Sequence, residues 1–570
     1  MSSQAARPMW LKYYDPEVPP NLTYPRVPIY CLLDETAARC PAKSCANFFG
    51  KRLTYQRIKD LADRFAVGIR DLGVQKGDRV VMLMPNSPQF LIAYYGLLKA
   101  GAVIVPLNPL STERELEFHF SDSGAETAIT VPLFAKKVAS LRGTLRAPLK
   151  RIICSRIADF LPFPLDLVQG LQERKLMSGL DGQLVNFQAL TKQAPPAGWH
   201  PEPVQPDEMA VMIYSGGTTG VAKGIMLSHY NLVANAHQVV AWGNLTDEQR
   251  ILAVLPLFHG FGMSVTMNAP VLAGGEIILM PRFKAKDVVK TIQKYKPDFF
   301  IGVPTMFVAF SNLPDIQRYD LSSLKGIFVG AAPLTRAIKD DFECKTGGRM
   351  IEGYGLTESV TAIMANPYHG MHKVGSIGIP FPDVEVKIVS LDDGRDLPPG
   401  ELGEIVLKSP TVMLGYYKNP EETRKTIAEG GWLYTGDIGY MDEDGYFYIT
   451  DRKKELIIVG GFNVFPREID ELIYQHPKAK EGITVGIPDE CKGERIKVYI
   501  VLKEGETATP EEFIAYFNER LTPYKCPSEV EFRTELPKSM IGKILRRALR
   551  EEEMRKAQQA QPCDDEMIHE

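Results

Sequence analysis

A glycine-rich loop set directly after a buried strand limits what this chain can fold into. Met209-Ala210-Val211-Met212-Ile213 is an apolar run with the texture of a buried strand. The next eleven residues, Tyr214-Ser215-Gly216-Gly217-Thr218-Thr219-Gly220-Val221-Ala222-Lys223-Gly224, hold four glycines, a serine, two threonines and a lysine. Glycine lets backbone N–H groups turn inward and approach an anion closely. The hydroxyls add donors and Lys223 adds a positive charge. Residues 228–240 read as a helix, so the expected order is strand, loop, helix, the setting in which a loop cradles phosphate. The Walker pattern is absent, because Val221 and Ala222 stand where Gly216 and Gly217 would need a Gly-Lys pair to follow. Taken alone, the stretch also reads as a flexible surface turn.

At 570 residues the chain is too long for one core, so two or more domains are expected. A net charge of −4 gives no bulk reason to bind nucleic acid. No apolar run approaches the roughly 18 residues of a membrane span, and the first residues lack the apolar core of a secretory signal. The eight cysteines (Cys31, Cys40, Cys45, Cys154, Cys344, Cys491, Cys526 and Cys563) show no zinc or redox spacing, which predicts reduced thiols in a cytoplasmic protein.

Strand and helix patterns alternate along the chain. Thr54 is placed to cap a helix whose apolar positions run from Tyr55 to Leu72 and which ends at Gly73. Residues 80–84 read as a buried strand, 88–99 as a helix and 102–107 as another strand, predicting an α/β fold with a largely parallel sheet. Residues 158–171 set large apolar groups beside Pro162 and Pro164, which excludes a regular helix through the prolines. The segment reads either as a loop packed on its own domain or as a surface piece dipping into a membrane interface, with Arg156, Arg174 and Lys175 facing anionic lipid. A change of texture near Asp451 predicts a C-terminal domain of about 120 residues, and residues 551–570 read as a fraying helix and a disordered tail.

Further stretches carry chemistry. His259 sits among aromatics and glycines after a strand at 251–255, where it lines a pocket or is simply structural; residues 258–270 hold no carboxylate, which suits an apolar, uncharged substrate tail. Gly330, Ala331 and Ala332 follow a strand and let a flat ring or thin chain lie against the backbone, or make a tight turn. In Gly353-Tyr354-Gly355-Leu356-Thr357-Glu358-Ser359, the Tyr354 face can stack on a purine and Thr357 can bond a phosphate or carboxylate. Glu358 offers a hard oxygen to Mg²⁺, with helix capping the alternative for the Thr-Glu pair. Asp437 can accept two hydroxyl hydrogen bonds, and Arg452 lies within reach of the same sugar. Gly542 puts Lys543 on a turn inside a basic cluster that otherwise reads as a solvated face, and Gly460-Gly461 let the chain approach a thin ligand.

These motifs, in this order over residues 53–547, resemble the adenylate-forming enzymes: acyl-CoA synthetases, firefly-type luciferases and the adenylation domains of peptide synthetases. The 214–224 phrase is especially similar to bacterial long-chain fatty acyl-CoA ligases, with Ser215 where some members have Thr. The resemblance implies a large multi-subdomain N-terminal adenylation domain (1–450) and a small mobile α+β C-terminal domain (451–570) hinged near Lys454. It implies ATP, CoA and Mg²⁺ as partners of a fatty acid. Tyr214, Ser215, Gly216, Gly217, Thr218, Thr219, Gly220 and Lys223 would hold phosphate; Gly330, Ala331, Ala332, Tyr354 and Gly355 the adenine; Asp437 and Arg452 the ribose; Gly461 the pantetheine; Thr218 and Glu358 the metal. Lys543, Thr357, Glu358 and His259 would be catalytic. A medium-chain or aromatic carboxylate ligase and a ligase loading a carrier protein remain alternatives. So does a non-catalytic lipid-binding protein, although intact Glu358, Asp437 and Lys543 argue against it. A luciferase-like oxygenase is disfavoured by the lack of a terminal Ser-Lys-Leu, and a peptide-synthetase module by the lack of residues for a carrier domain. Contact with the inner face of a membrane and the oligomeric state, a homodimer included, are left open.

Overall fold

The computed structural model describes residues 8–145, 148–180, 182–215, 222–489, 492–538 and 544–560. The chain divides into two compact units. One takes Met1–Val386, Leu407–Tyr434 and Asp444–Tyr446; the other takes Lys387–Val406, Thr435–Glu443 and Phe447–Glu570. Two segments that precede Asp451 thus group with the C-terminal residues. They do so through strand pairing: Leu433–Met441 runs antiparallel to Phe447–Arg452, with Asp437 opposite Arg452.

The first unit holds an eight-stranded and a nine-stranded sheet flanked by helices, the α/β class expected. In the eight-stranded sheet, Arg79–Leu83, Val103–Pro106, Thr127–Thr130 and Arg151–Cys154 pair in parallel. Val80, Val81, Met82 and Leu83 are fully buried, as parallel strands covered on both faces must be. The helix Tyr55–Asp71 begins as expected, the Arg57 N–H donating to Thr54 Oγ1 at 3.1 Å, and Gly73 turns away at φ +84°. The helix Pro88–Lys99 is apolar all round and every residue in it is buried. Its one charge, Lys99, is neutralised by ion pairs to Asp34 and Asp63.

Two expectations need correction. The helix predicted at 228–240 forms as His229–Gly243, but a strand, Lys223–Ser228, comes between it and the glycine-rich stretch. That strand pairs antiparallel with Met209–Ser215, Ser215 opposite Lys223 and Tyr214 opposite Gly224, and buries Ile225 and Leu227. Residues 216–221, outside the described residues, therefore connect two antiparallel strands. No helix N-terminus follows them, so no helix dipole supports an anion there. The second correction concerns the loop reading of 158–171; no helix runs through the prolines, as expected. A short turn, Ile157–Phe160, precedes the prolines, and a helix, Leu165–Met177, starts directly after Pro164. It is tethered by buried Glu173, which accepts from the Ile157 and Ala158 N–H groups at 3.0 and 3.3 Å. Its outer face leaves Leu167, Val168 and Leu171 exposed.

The second unit carries a five-stranded sheet in which Ala479–Asp489 and Gly493–Leu502 form a long antiparallel pair. The helices Pro466–Gln475 and Pro510–Asn518 pack on it, burying Ile469, Ile473, Val498, Ile500, Phe513 and Phe517 in one core. The helix Arg546–Ala560 follows. This is the α+β character expected of the C-terminal part.

Candidate active site

Two of the motifs interlock through glycines that have no room for a side chain. The strand Arg349–Gly355 runs into the turn Thr357–Ser359 and returns as Ala362–Ala365. A Cβ on Gly355 would lie 1.6 Å from the Thr361 carbonyl oxygen. A Cβ on Gly260, beside His259, would lie 2.4 Å from the Val360 carbonyl oxygen. Val360 itself holds φ +63°, and Ala331 in the Gly-Ala-Ala stretch holds φ +67°. For residues with side chains, such geometry costs about 1–3 kcal/mol each and persists only where the surroundings enforce it. The Thr357–Glu358 turn is thus clamped between the His259 segment and the end of a sheet strand.

The base of the glycine-rich stretch is wired to that turn. Glu358 accepts a hydrogen bond from the Tyr416 hydroxyl at 3.0 Å, and its backbone oxygen accepts from Met413 N–H at 2.8 Å. The Lys223 ammonium lies 4.9 Å from the centre of the Tyr416 ring and forms an ion pair with Glu422. Tyr416 is positioned by the short strand Gly415–Tyr416, which pairs with Lys223–Ser228. Burial, and then the Glu358 charge, raise the pKa of Tyr416, so it stays a donor at neutral pH. Tyr214, at the other side of the stretch, donates to Asp122 at 2.6 Å and tilts against the His119 ring at 4.5 Å. Its hydroxyl is therefore occupied within the fold. Burial lowers the His119 pKa to about 4, so that ring is neutral. Gly216, Gly217, Thr218, Thr219 and Gly220 lie outside the described residues.

His259, Gly330, Ala331, Tyr354 and Gly355 come together around one cleft of about 800 Å³, counting the space at its mouth. One wall is a sheet face: Phe299 and Ile301, Phe328 and Gly330, and Ile351, Gly353 and Gly355 project at the strand period of two. The other wall is the end of the helix His229–Gly243, with Val239 and Trp242. Among the described residues, no Asp, Glu, Lys or Arg lines it. His259 faces the open cavity, while protein mass around its other sides desolvates the ring and lowers its pKa. Its Nδ1 accepts from the Phe261 N–H at 3.2 Å, so the imidazole is held neutral and oriented. Ala332, Thr357 and Glu358 do not line this cleft; Ala332 follows directly on Ala331, which does, and Thr357 and Glu358 come two and three residues after Gly355.

In the second unit, Arg452 Nε lies 3.0 Å from Asp437 Oδ1, and Asp437 is buried. The two residues expected at the ribose are thus cross-strand partners. Lys453 pairs with buried Glu404 at 2.8 Å, next to the exposed Lys454 expected at the hinge. Gly460 and Gly461 form the two-residue turn of a hairpin, at φ +58° and +85°, with nothing within 4 Å of a Cβ on either. Lys543 lies outside the described residues; on either side of it in the chain, Lys538 and Ile544 pair in an isolated bridge.

Tyr416, Glu422 and Asp122 escape sequence reasoning. The Gly415-Tyr416-Tyr417 triplet is the one local hint, a small residue ahead of two aromatics in a short strand.

With this geometry in place, comparison with known families is decisive. The AMP-binding enzyme model matches residues 33–417, more than half the chain, and the AMP-binding enzyme C-terminal domain model matches 468–543. The chain belongs to the AMP-binding enzyme family. Among AMP-binding relatives, a long-chain-fatty-acid–CoA ligase of Bacillus subtilis (strain 168) is 41% identical, covering 96% of this chain and 99% of the relative. A protein of the same name from Escherichia coli O6:H1 is 36% identical, covering 95% and 98%. The crystal structure of the anthranilate CoA ligase AuaEII in complex with anthranoyl-AMP is similar with a TM-score of 0.81 at 28% identity, covering 94% of this chain and 99% of that one.

Proposed function

We propose that this protein is an ATP-dependent, AMP-forming ligase that converts long-chain fatty acids to acyl-CoA. The observation that carries the reading is the cleft without a charged side chain that ends at Tyr354 and Gly355. An apolar tail suits that lining, since an unpaired charge there would be costly. The carboxylate at the head of the tail then lies beside the Thr357–Glu358 turn.

The first step joins a fatty-acid oxygen to the α-phosphorus of ATP and breaks the bond to pyrophosphate, giving acyl-AMP. The second joins the CoA sulfur to the acyl carbon and releases AMP. A carboxylate approaching a polyphosphate meets like charge, so catalysis is mainly positioning and charge stabilisation. Lys543, Lys223 and the N–H groups of 216–221 supply positive charge, and Thr357 bonds the reacting group. Asp437, held by Arg452, takes the ribose. The donor set fits Mg²⁺ entering with the nucleotide: such an ion needs one or two protein carboxylates beside phosphate oxygens, and Glu358 provides one. When bound, the ion offsets charge on the phosphates.

The test is one assay with two readouts. The protein receives ATP, Mg²⁺ and CoA with octanoate, dodecanoate, palmitate, benzoate or coumarate, and pyrophosphate and thioester are followed together. Palmitoyl-CoA with matched pyrophosphate is expected. Acyl-AMP without thioester would instead indicate a ligase loading a carrier, and turnover of the aromatic acids alone would overturn the substrate class.

The Gly460–Gly461 turn supports a thin ligand passing close to it in the thioester step. Gly461→Ala is expected to leave acyl-AMP formation intact, and Gly461→Trp to lower thioester formation by at least tenfold. Equal loss of both half-reactions in rapid-quench measurements would remove that role. The exposed face of Leu165–Met177 supports contact with an anionic membrane surface, because Leu167, Val168 and Leu171 stand next to Arg174 and Lys175. No helix among the described residues is long and apolar enough to cross a membrane. The double variant Leu167→Glu, Leu171→Glu should lose sedimentation with phosphatidylglycerol vesicles while turning over soluble octanoate normally; undiminished sedimentation would refute the contact.

A further inference from the structure

The far end of the cleft is shaped by a glycine that the helix does not require. Gly243 is the last residue of the helix His229–Gly243, is buried, and lines the cleft beside Trp242. The left-handed residue that closes the helix is Asn244, at φ 45°, so termination does not call for glycine at 243. Gly243 is not among the residues with positive φ, and in an ordinary helical position alanine is more stable than glycine by about 0.5–1 kcal/mol. What the missing side chain does allow is a close approach by Leu245 and a cleft wall with no side chain projecting from this position. A Cβ at 243 would meet Leu245 Cδ2 at 3.3 Å and Phe328 Cζ at 3.8 Å.

These groups close the cleft opposite its reactive end. Phe299 stands opposite Gly326 in the sheet register, and Gly330 lies four residues along that strand direction, a span of about 13 Å. An extended acyl chain longer than that meets the far wall. There Phe328 is braced by Phe299 and Tyr368, with ring centres 5.9 and 6.4 Å away. Trp242 is fixed on the flank by its indole N–H, which donates to the Asn366 oxygen at 3.2 Å. Both aromatics are held, so position 243 is the adjustable part of this wall.

We infer that Gly243 sets the acyl-chain length: with no side chain there, the cleft wall beside Phe328 and Leu245 stays open to the methyl end of a long chain. This rests on the fatty-acid reading above and adds the residue that decides which chains fit. The experiment measures kcat/KM for pyrophosphate release with octanoate, dodecanoate and palmitate in the wild type, Gly243→Ala and Gly243→Leu. Thermal unfolding is recorded alongside. Leucine there should lower palmitate kcat/KM by about 10–200-fold, with octanoate held within about twofold of wild type. Alanine, which the helix favours and whose methyl Leu245 must shift slightly to admit, since its Cγ and Cδ2 both lie at 3.3 Å, should give a smaller loss in the same order. An opposite change, Phe328→Ala, should raise the ratio of palmitate to octanoate. Equal losses at every chain length, or an unchanged length profile in both Gly243 variants, would overturn the inference while leaving the fatty-acid reading intact. A wild type silent on all three acids would overturn the fatty-acid reading, and this inference with it.

Discussion

Lys543→Ala is expected to lower acyl-adenylate formation by about 10²–10³-fold, the scale for removing one preorganised donor from a charge-stabilising site. The loss should fall on the first half-reaction. Supplied with synthetic acyl-AMP and CoA, the variant should still form thioester at a rate near wild type, because that step breaks a bond to AMP and no longer brings a carboxylate up to a polyphosphate. Fold and nucleotide affinity should change little. Single-turnover pyrophosphate release at saturating ATP separates these quantities. A variant that makes acyl-AMP at the wild-type rate would dismiss the lysine from catalysis.

Gly355→Ala is expected to be nearly as damaging for a different reason. The new methyl would sit 1.6 Å from the Thr361 oxygen and 2.2 Å from the Thr361 carbonyl carbon. Neither is a flexible side-chain end, so the strand and its return must part. The cost in stability should be about 1–3 kcal/mol, as for other overpacked sites. The turn carrying Thr357 and Glu358 would move with the strand, and a displacement of about 1 Å at the reacting groups is enough to lose about 10²-fold in rate. Gly143→Ala, where nothing lies within 4 Å of the added atom, serves as the control that should change neither. If Gly355→Ala retained full ATP–pyrophosphate exchange, the clamp on Glu358 would be unnecessary.

Much of the fold is legible in the sequence because its signals are local. The helix at 88–99 is bounded by a proline and a run of apolar residues, and it forms between those same residues. Thr54 and Gly73 mark their helix because cap chemistry is read within one turn. The strand Lys223–Ser228 was hidden for the opposite reason. Six residues are too few to show an alternation, and the strand exists through its pairing across residues 216–221. The surroundings of the site were less visible still. Tyr416 reaches Glu358 from 58 residues away, Tyr214 finds Asp122 across 92, and Lys223 finds Glu422 across 199. No spacing rule links partners so distant. The sequence marks Gly355 only as part of a turn that presents Tyr354 and gives Gly260 no role, whereas at both positions a neighbouring carbonyl fits where a side chain would stand.

On the proposed reading, in which Lys223 meets the phosphates, its ion pair with Glu422 bears on which anions the protein holds. At rest this ammonium already has a counter-ion supplied by its own chain, so an arriving anion must displace a carboxylate and not merely shed water. An anion presenting one charged oxygen trades one pairing for another and gains little. A polyphosphate that engages Lys223 while also meeting the neighbouring backbone donors gains from every additional contact. Orthophosphate, abundant in cells, would thereby be a feeble competitor at a site built for nucleotides, without any group dedicated to excluding it.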